Sequence, residues 1–333
     1  MTPARLAMIG LSHSHSQGNA KAAAMVDEVE LAGVWDEEAQ LTRHRCSEWQ
    51  EMLPDLVAYD SLQQALSDPT IEGVIVDGRV SQNLSLARAA VSHGKHVLLE
   101  KPAGTNLAEL SDLHDRAREA QVLLQMGYIM RYNGGFELAR DLVARGALGE
   151  LVFVRGRISW SPASYDGLMP EVGMLPGGIL FELGCHHLDM IMLLLGEPQA
   201  AHAHFGSHHD PLKRYTDSAL AYLEFDRCFA TIESCAMESG SLQNRCFEVY
   251  GTGGAVIVQP LEPPEAVLHL EEPFGDYGAG WQSTRIQRPA RHVKDLREFA
   301  ACIRGAKEPN CSMAHDFAVQ KVLLHMCAGD HAR

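Results

Sequence analysis

The chain has 333 residues, 46% of them apolar and 21% charged, which is the composition of a globular protein with room for two domains of about 150 residues each. Its 28 basic and 43 acidic residues give a formal net charge of −15, and such a field repels nucleic acids and anionic membranes. We therefore expect neither a nucleic-acid nor a membrane partner.

Cysteine usage and hydropathy indicate the cellular compartment. The eight cysteines are scattered without a Cys-x-x-Cys pair, and the apolar run Leu6–Leu11 is too short for the core of a signal peptide. The most apolar window, Ile179–Leu195, is interrupted by four ionisable residues, which argues against a membrane span. These features predict a cytoplasmic protein without a disulfide framework.

Short apolar runs alternate with helical patterns over the first 126 residues. The predicted strands are Arg5–Ile9, Glu30–Trp35, Leu56–Tyr59, Glu72–Val76, Lys95–Leu99 and Gln121–Met126, and helical patterns lie near 17–27, 37–48, 60–67, 81–93 and 106–120. Asn106 and Glu109 form a capping-box pattern, and Gly94 is typical of a helix end. This alternation predicts a doubly wound parallel sheet of the Rossmann type, so we assign residues 1–126 to a dinucleotide-binding domain.

Consecutive strands are predicted in the second half of the chain. They lie at Leu151–Trp160 and near 198–205, 217–226, 228–236, 245–251, 254–259 and 265–270. Predicted helices lie at Phe136–Ala144 and near 178–195, 291–304 and 314–328, and residues 161–178 form a loop rich in Pro and Gly. This order predicts an α+β domain over residues 127–333 with a mostly antiparallel open sheet.

The turn after the first strand is the expected phosphate-binding turn. A complete glycine fingerprint would place glycines at 10, 12 and 15, whereas the chain has Gly10, Ser12 and His15. We expect His13 and His15 to donate hydrogen bonds to the pyrophosphate. Asp36 ends the second strand, where a carboxylate accepts ribose hydroxyls and favours NAD over NADP. Because no acidic or cysteine residue stands at ligand spacing from the two histidines, we predict no metal site.

Two further segments carry groups suited to proton and hydride transfer. Glu100 and Lys101 directly follow the strand Lys95–Leu99, at the edge of the sheet where a nicotinamide would lie. Glu182 and His186 stand four residues apart on a helix that is apolar nearly all round. Ionisable groups on a buried helix need partners or a chemical role, and we favour a chemical role.

These segments resemble the glucose-fructose oxidoreductase, inositol dehydrogenase and rhizopine-catabolism (Gfo/Idh/MocA) family. Its members have a Rossmann domain, an E-K-P after the fifth strand and a G-G-x-x-x-D-x-G-x-H-x-x-D helix, which Gly177–Asp189 resembles with Glu182 in place of the first Asp. The resemblance implies that Lys101 hydrogen-bonds the reacting oxygen and that His186 is the general acid or base. It implies that Glu100 holds Lys101 and the ribose.

The resemblance also implies that the chain forms a homodimer or homotetramer.

The chain departs from the family pattern beside the expected cofactor. The segment Val76–Asn83 stands where the family usually has an A-T-P-x-x-x-H turn beside the cofactor. We place four further residues near the substrate, namely Arg131, Tyr132, Trp160 and His187.

The sequence thus predicts an NAD(P)-dependent oxidoreductase that acts on a secondary hydroxyl or keto group of a sugar, sugar derivative or cyclitol. Two alternatives stay open. One is a glycosidase that oxidises its substrate transiently and reduces it again with the same NAD. The other is a non-catalytic scaffold that senses a nucleotide or another ligand, which the altered phosphate turn would favour.

Overall fold

The computed structural model describes residues 2–165, 167–208, 212 and 215–328. The chain forms two compact units. Unit 1 runs to Ile129 and includes Ala290–Phe317, whereas unit 2 comprises Met130–Pro289 and the chain from Ala318 onward. The sequence predicts a boundary at 126/127 and assigns the segment 290–317 to the second domain.

Packing explains why this later segment belongs to unit 1. It contains the helix Val293–Ile303, whose apolar residues Leu296 and Phe299 are fully buried. They share one buried cluster with Leu6 of the first strand and Ala20 of the first helix. The amphipathic pattern of the helix shows that it must bury one face, but it does not show which sheet receives that face.

Unit 1 is built on a six-stranded parallel sheet in the order β3-β2-β1-β4-β5-β6. Its strands are β1 (Ala4–Ile9), β2 (Val29–Trp35), β3 (Val57–Ala58), β4 (Gly73–Val76), β5 (His96–Leu99) and β6 (Leu124–Met126). Its helices are α1 (Ser16–Ala23), α2 (Ala39–Trp49), α3 (Leu62–Ser67), α4 (Val80–Ser92), α5 (Leu107–Glu119) and α11 (Val293–Ile303). The predicted doubly wound Rossmann fold is confirmed.

The predicted local signals hold in unit 1. The Asn106 side chain accepts hydrogen bonds from the N–H groups of Ala108 and Glu109 and so caps α5, while its side-chain amide, in place of the backbone N–H of a full capping box, donates to the Glu109 carboxylate. Gly94 follows α4 with a φ of +70°, the left-handed conformation that the sequence leads us to expect at a helix end.

Unit 2 contains an eight-stranded sheet in the order β14-β13-β12-β11-β7-β10-β9-β8, antiparallel except between β7 and β10. Its strands are β7 (Leu151–Arg157), β8 (Ala200–Gly206), β9 (Ser218–Glu224), β10 (Phe229–Cys235), β11 (Cys246–Gly251), β12 (Gly254–Leu261), β13 (Pro264–Leu270) and β14 (Gly280–Thr284). Its helices are α6 (Gly134–Ala144), α7 (Pro162–Tyr165), α8 (Met169–Val172), α9 (Cys185–Leu195) and α10 (Ser241–Asn244), and α12 (Met313–Ala328) contains the boundary between the units.

The predicted α+β architecture is confirmed, with local differences. The edge strand β14 is absent from the prediction because its sequence, Gly-Trp-Gln-Ser-Thr, shows no alternation of apolar and polar residues. The predicted loop 161–178 contains the short helices α7 and α8. Within the part of the chain that the structure describes, no helix is both long and apolar enough to cross a membrane.

Candidate functional site

The first strand-to-helix turn of unit 1 requires a glycine at its start. Gly10 has a φ of +78°, and a Cβ at this position would lie 2.6 Å from the backbone of Gly78 in the turn after β4. A side chain at position 10 would therefore push the two turns apart. Their close approach unites the ends of β1 and β4 at the carboxyl edge of the sheet, where doubly wound folds bind ligands.

Backbone N–H groups of this turn are directed to acceptors within the protein. The N–H of Leu11 donates to Oδ2 of Asp36 at 2.7 Å, and the N–H of His13 donates to the carbonyl oxygen of Asp77 at 3.1 Å. The N–H of His15 donates to Nδ1 of His13 at 3.2 Å. In a glycine-rich fingerprint such groups point at the pyrophosphate. Here side chains therefore have to supply much of the contact with an anion.

Ser12 has a hydroxyl group suited to that purpose. Its Oγ atom is buried and has no hydrogen-bond partner among the described residues. A buried hydroxyl without a partner is costly, because it has lost its hydrogen bonds to water and gained none in exchange. A phosphate oxygen would accept this hydrogen bond, so Ser12 fits a dinucleotide at this turn.

Asp36 follows β2 directly and is buried, with 7% of its surface exposed. Besides the N–H of Leu11, its carboxylate accepts the N–H of Glu38 at 2.9 Å. Asp36 therefore fastens the β1–α1 turn to the end of β2. Each carboxylate oxygen has a second lone pair, so the same group retains capacity for a ribose hydroxyl.

A basic residue lies beside this carboxylate-rich segment. Arg79, at the start of α4, contacts Oε1 of Glu38 through Nη2 at 2.8 Å, and the pair is exposed. Gln82 donates to Glu37 at 2.6 Å. The turn 76–83 that departs from the family pattern thus reaches across to the segment following Asp36. It brings a cation to the place where dinucleotide-binding folds distinguish a ribose from a ribose phosphate.

Glu100 and Lys101 follow β5, and only 3% and 1% of their surfaces are exposed. Oε1 of Glu100 lies 2.9 Å from Nδ1 of His15 and 4.0 Å from Nζ of Lys101. Burial raises the pKa of Glu100 to about 7, against the opposing charges of His13 and Lys101 and reinforced by the carboxylate of Asp77. Below that pH, a protonated Glu100 donates its hydrogen bond to the imidazole of His15.

Burial lowers the pKa of His15 well below its ordinary value, and the nearby His13, Lys101, His292 and Arg291 lower it further. Among these neighbours, the ring of His13 packs edge-on at 4.7 Å and that of His292 at 5.1 Å, and Nη2 of Arg291 is 3.5 Å from Nε2 of His15. The sequence does not indicate Arg291 and His292 as neighbours of His15, because they stand more than 270 residues from it along the chain. Only the three-dimensional packing of α11 brings them to the turn.

The position of Glu100 also affects the prediction that the chain has no metal site. The prediction of no metal rests on the absence of an acidic residue at ligand spacing from His13 and His15 along the chain. In the folded protein Glu100 supplies the acidic group that is missing along the chain. One potential ligand atom from each of the three residues lies within 4.8 Å of the others. The premise of the prediction therefore fails in three dimensions.

In unit 2, two glycines set the start of the second predicted site. Gly177 and Gly178 have φ values of +69° and +50°, and a Cβ on Gly178 would lie 2.0 Å from the carbonyl oxygen of Thr216. Both positions therefore require glycine, for conformation and for space. The family-like Gly-Gly pair thus has a local structural cause.

The helix that follows begins with a π-helical turn, Leu180–Gly184, and continues as α9. The sequence predicts an uninterrupted α-helix here. Glu182 lies in the π-helical turn with 4% of its surface exposed, and His186 lies in the first turn of α9 with 2% exposed. π-Helical turns are rare and occur frequently at functional sites. The predicted acid–base residues are thus buried at an irregular point of this helix.

Arg131 and Asp189 form a buried, bidentate ion pair. Nε and Nη2 of Arg131 donate to the two carboxylate oxygens of Asp189 at 2.8 and 2.6 Å. The pair fastens the 3₁₀ turn Ile129–Tyr132 to α9. We predict Arg131 as a neighbour of the substrate, and this contact gives it a structural partner in addition.

His187 is a core residue of unit 2. Its side chain has no exposed surface, and its ring lies 5.8 and 5.7 Å from those of Phe136 and Phe247. Its Nε2 lies 3.1 Å from the carbonyl oxygen of Cys246, and burial lowers its pKa to about 3. A neutral imidazole enclosed in this way supports packing, so His187 is not among the residues that we propose to contact the substrate.

Tyr132 and Trp160 are both partly exposed. The Trp160 ring lies 6.3 Å from that of the buried Tyr165. Their predicted contact with the substrate stays a prediction. The same holds for the meeting of Lys101, in unit 1, with His186, in unit 2.

Comparison with known proteins gives matches over both units. Residues 4–128 match the family described as an oxidoreductase family with an NAD-binding Rossmann fold, and residues 136–257 match the GFO/IDH/MocA C-terminal domain. The chain is 26% identical to scyllo-inositol 2-dehydrogenase (NAD(+)) of Bacillus subtilis over 258 residues, which are 74% of this chain and 71% of that protein. It is also 26% identical to D-xylose 1-dehydrogenase (NADP(+)) 2 of Haloferax volcanii, over 75% of this chain and 82% of that protein.

Solved structures show the same fold. The structure of UDP-N-acetylglucosamine 3-dehydrogenase GnnA from Acidithiobacillus ferrooxidans superposes with a TM-score of 0.83 at 18% identity, covering 100% of this chain and 99% of that one. The match extends over both units.

Proposed function

The chain belongs to the Gfo/Idh/MocA family of oxidoreductases, and on that premise we propose hydride transfer between a nicotinamide dinucleotide and a secondary hydroxyl or keto group of a sugar, sugar derivative or cyclitol. The observation that carries the proposal is the buried pair Glu100–Lys101 at the carboxyl edge of β5. A lysine ammonium is rarely buried unless it is paired or has a role. Relatives that are named dehydrogenases favour an enzyme over the non-catalytic alternative.

When bound, the dinucleotide supplies the acceptor or donor of the hydride. Lys101 donates a hydrogen bond to the reacting oxygen and stabilises the alkoxide as charge develops, an interaction that burial strengthens. His186 accepts the hydroxyl proton as the C–H bond breaks and returns it in the reverse direction. Glu182 orients that imidazole or binds a neighbouring hydroxyl, and Glu100 holds Lys101.

The turn after β1 would hold the phosphates. The buried Ser12 hydroxyl and the imidazoles of His13 and His15 supply donors in place of backbone N–H groups that are already engaged. Asp36 accepts the ribose hydroxyls while it fastens the turn.

Turnover of the Lys101→Ala and His186→Ala variants tests the catalytic assignment. We expect each to lower kcat by roughly 10²–10⁴-fold, with little change in the affinity for NADH. The assay is nicotinamide absorbance with inositols, aldoses and nucleotide sugars. Undiminished turnover in either variant would remove that residue from the mechanism. Cleavage of an aryl glycoside without net accumulation of NADH would instead support the redox-assisted glycosidase.

The structure also supports a preference for NAD. Asp36, Glu37 and Glu38 place three carboxylates after β2, and the nearby Arg79 is paired with Glu38. A 2′-phosphate would meet repulsion from the carboxylates and would have to compete for the guanidinium.

The Glu38→Ala variant tests this preference. It releases Arg79, and we expect the Kd for NADPH to fall by about 10-fold while that for NADH changes little. The double variant Glu38→Ala/Arg79→Ala should lose this gain. Fluorescence titration of both reduced cofactors measures the effect. Tighter binding of NADPH than of NADH by the unmodified protein would contradict the preference.

We further propose a homodimer or homotetramer formed through the open face of the eight-stranded sheet. Helices α6 and α9 pack against this sheet, and alternate strand residues point away from the buried side. That other face exposes large apolar side chains, with Trp281 63% and Phe229 58% exposed, and also Leu220, Tyr222 and Val267. Such a patch is typical of an interface between copies. Light scattering after size exclusion tests it, and Tyr222→Lys should yield a smaller species with an unchanged circular dichroism spectrum.

A further inference from the structure

His13, His15 and Glu100 form a compact group of metal-ligand side chains in unit 1. One potential ligand atom from each lies within 4.8 Å of the others. Nδ1 of His15 and Oε1 of Glu100 are 2.9 Å apart. Ligand atoms around a tetrahedral zinc ion are about 3.3 Å apart, from metal–ligand bonds of about 2.0 Å, so small side-chain rotations suffice to enclose an ion.

The chemistry of the three donors is selective. Two imidazoles and one carboxylate are the protein ligands of many zinc enzymes and of non-haem iron sites, and they leave further positions open for water or a ligand. A hard ion such as Mg²⁺ prefers an all-oxygen set, which this group does not offer. The set therefore selects a divalent transition metal.

The surroundings also hold the ligands in place. His13 and His15 lie in the short turn between β1 and α1, and Glu100 directly follows the buried strand β5. Oδ1 of Asp77 is 3.2 Å from Nδ1 of His13. The backbone N–H of His15 donates to the same Nδ1 atom and so helps to fix the ring of His13.

We propose that His13, His15 and Glu100 bind a divalent transition-metal ion, with Zn²⁺ as the best match, when no dinucleotide is present. Lys101, whose Nζ is 4.0 Å from Glu100, and Arg291, 3.5 Å from His15, oppose a cation and lower its affinity. The proposed function assigns His13 and His15 to the phosphates, and the family resemblance implies that Glu100 holds the ribose. Metal and dinucleotide therefore exclude one another, so the ion inhibits competitively with the cofactor.

Calorimetric titration of the metal-free full-length protein with ZnCl₂ tests the site, together with the visible absorption of added Co²⁺, which reports tetrahedral coordination by nitrogen and oxygen. We expect one ion per chain. His13→Ala, His15→Ala and Glu100→Gln should each weaken binding by at least ~10-fold and diminish the cobalt bands. His44→Ala is the matched control, because this histidine is exposed on α2, and it should bind as the unmodified protein does.

Two outcomes would overturn the proposal. One is the absence of zinc binding to the unmodified protein, and the other is binding that His13→Ala and His15→Ala leave unchanged while circular dichroism shows all variants folded. Neither titration needs turnover or cofactor, so a failure here is distinct from a failure of the proposed hydride transfer. The exclusion is tested separately, by NADH titration at increasing Zn²⁺, and an apparent Kd for NADH that does not rise would refute it.

Discussion

The Glu100→Gln substitution tests the electrostatics of the candidate site through stability. Burial raises the pKa of Glu100 to about 7, whereas the pKa of a glutamate in the unfolded chain lies near its ordinary value of 4.5. Between these values the folded protein keeps a proton that the unfolded chain has released. The free energy of unfolding therefore falls as pH rises through this window, and the stabilising contribution is lost above about pH 7.

The magnitude follows from the same two values. The separation of these two values corresponds to about 3 kcal/mol, most of which falls between pH 5 and 8.5. A glutamine at position 100 carries no titrating proton, yet its amide still donates to Nδ1 of His15. Relative to the unmodified protein, Glu100→Gln should therefore gain about 2–3 kcal/mol of stability from pH 5 to pH 8.5.

Urea unfolding followed by far-ultraviolet circular dichroism across this pH range measures the difference. The matched control is Glu51→Gln, an exposed acid beyond α2, whose difference from the unmodified protein should stay within about 0.5 kcal/mol. Infrared spectra give a direct check, because a protonated carboxyl band at pH 6 should disappear in Glu100→Gln. A stability difference that is flat with pH, or that falls as pH rises, would refute a raised pKa at this position.

Substitutions at four further positions test, by urea unfolding, contacts that stabilise the two units. Arg131→Met and Asp189→Leu should each lower the free energy of unfolding by about 3–5 kcal/mol, because each leaves a buried charge without its counter-ion. The double variant should recover most of this loss, and additive losses would contradict the reasoning. Gly178→Ala should cost at least about 2 kcal/mol, from its left-handed backbone and its clash with the carbonyl of Thr216, and an unchanged midpoint would show that the turn relaxes. Ser61→Ala should cost about 1 kcal/mol by removing the cap of α3, and restoration by Ser61→Asp would assign the loss to capping.

Periodicity was sufficient to predict the fold of unit 1 because its signals are local. Each strand there is a short apolar run, and each helix has a stripe or a cap that neighbouring residues reveal, as at Asn106 and Gly94. The edge strand β14 has no comparable pattern, because an edge strand with one exposed face needs few apolar residues.

The candidate site shows where sequence reasoning ends. Lys101 and Glu100 are marked by their place after a strand, and this topological rule correctly predicts the edge of the sheet. The contact of His15 with Glu100 joins residues 85 positions apart, and that of Arg291 with His15 joins residues 276 positions apart. No spacing rule reaches such pairs, because they depend on which turn each helix packs beside. The π-helical turn before His186 likewise leaves no mark in a single sequence.

The return of Ala290–Phe317 to unit 1 has a consequence for how the protein is made. During synthesis, the first 129 residues leave the ribosome without α11, so the surface that receives Leu296 and Phe299 stays uncovered until nearly the whole chain has been translated. A gene fragment that stops after the sixth strand would encode a sheet with this gap permanently open. Expression of the nucleotide-binding half on its own therefore calls for a fusion that joins residues 290–317 to its carboxyl end.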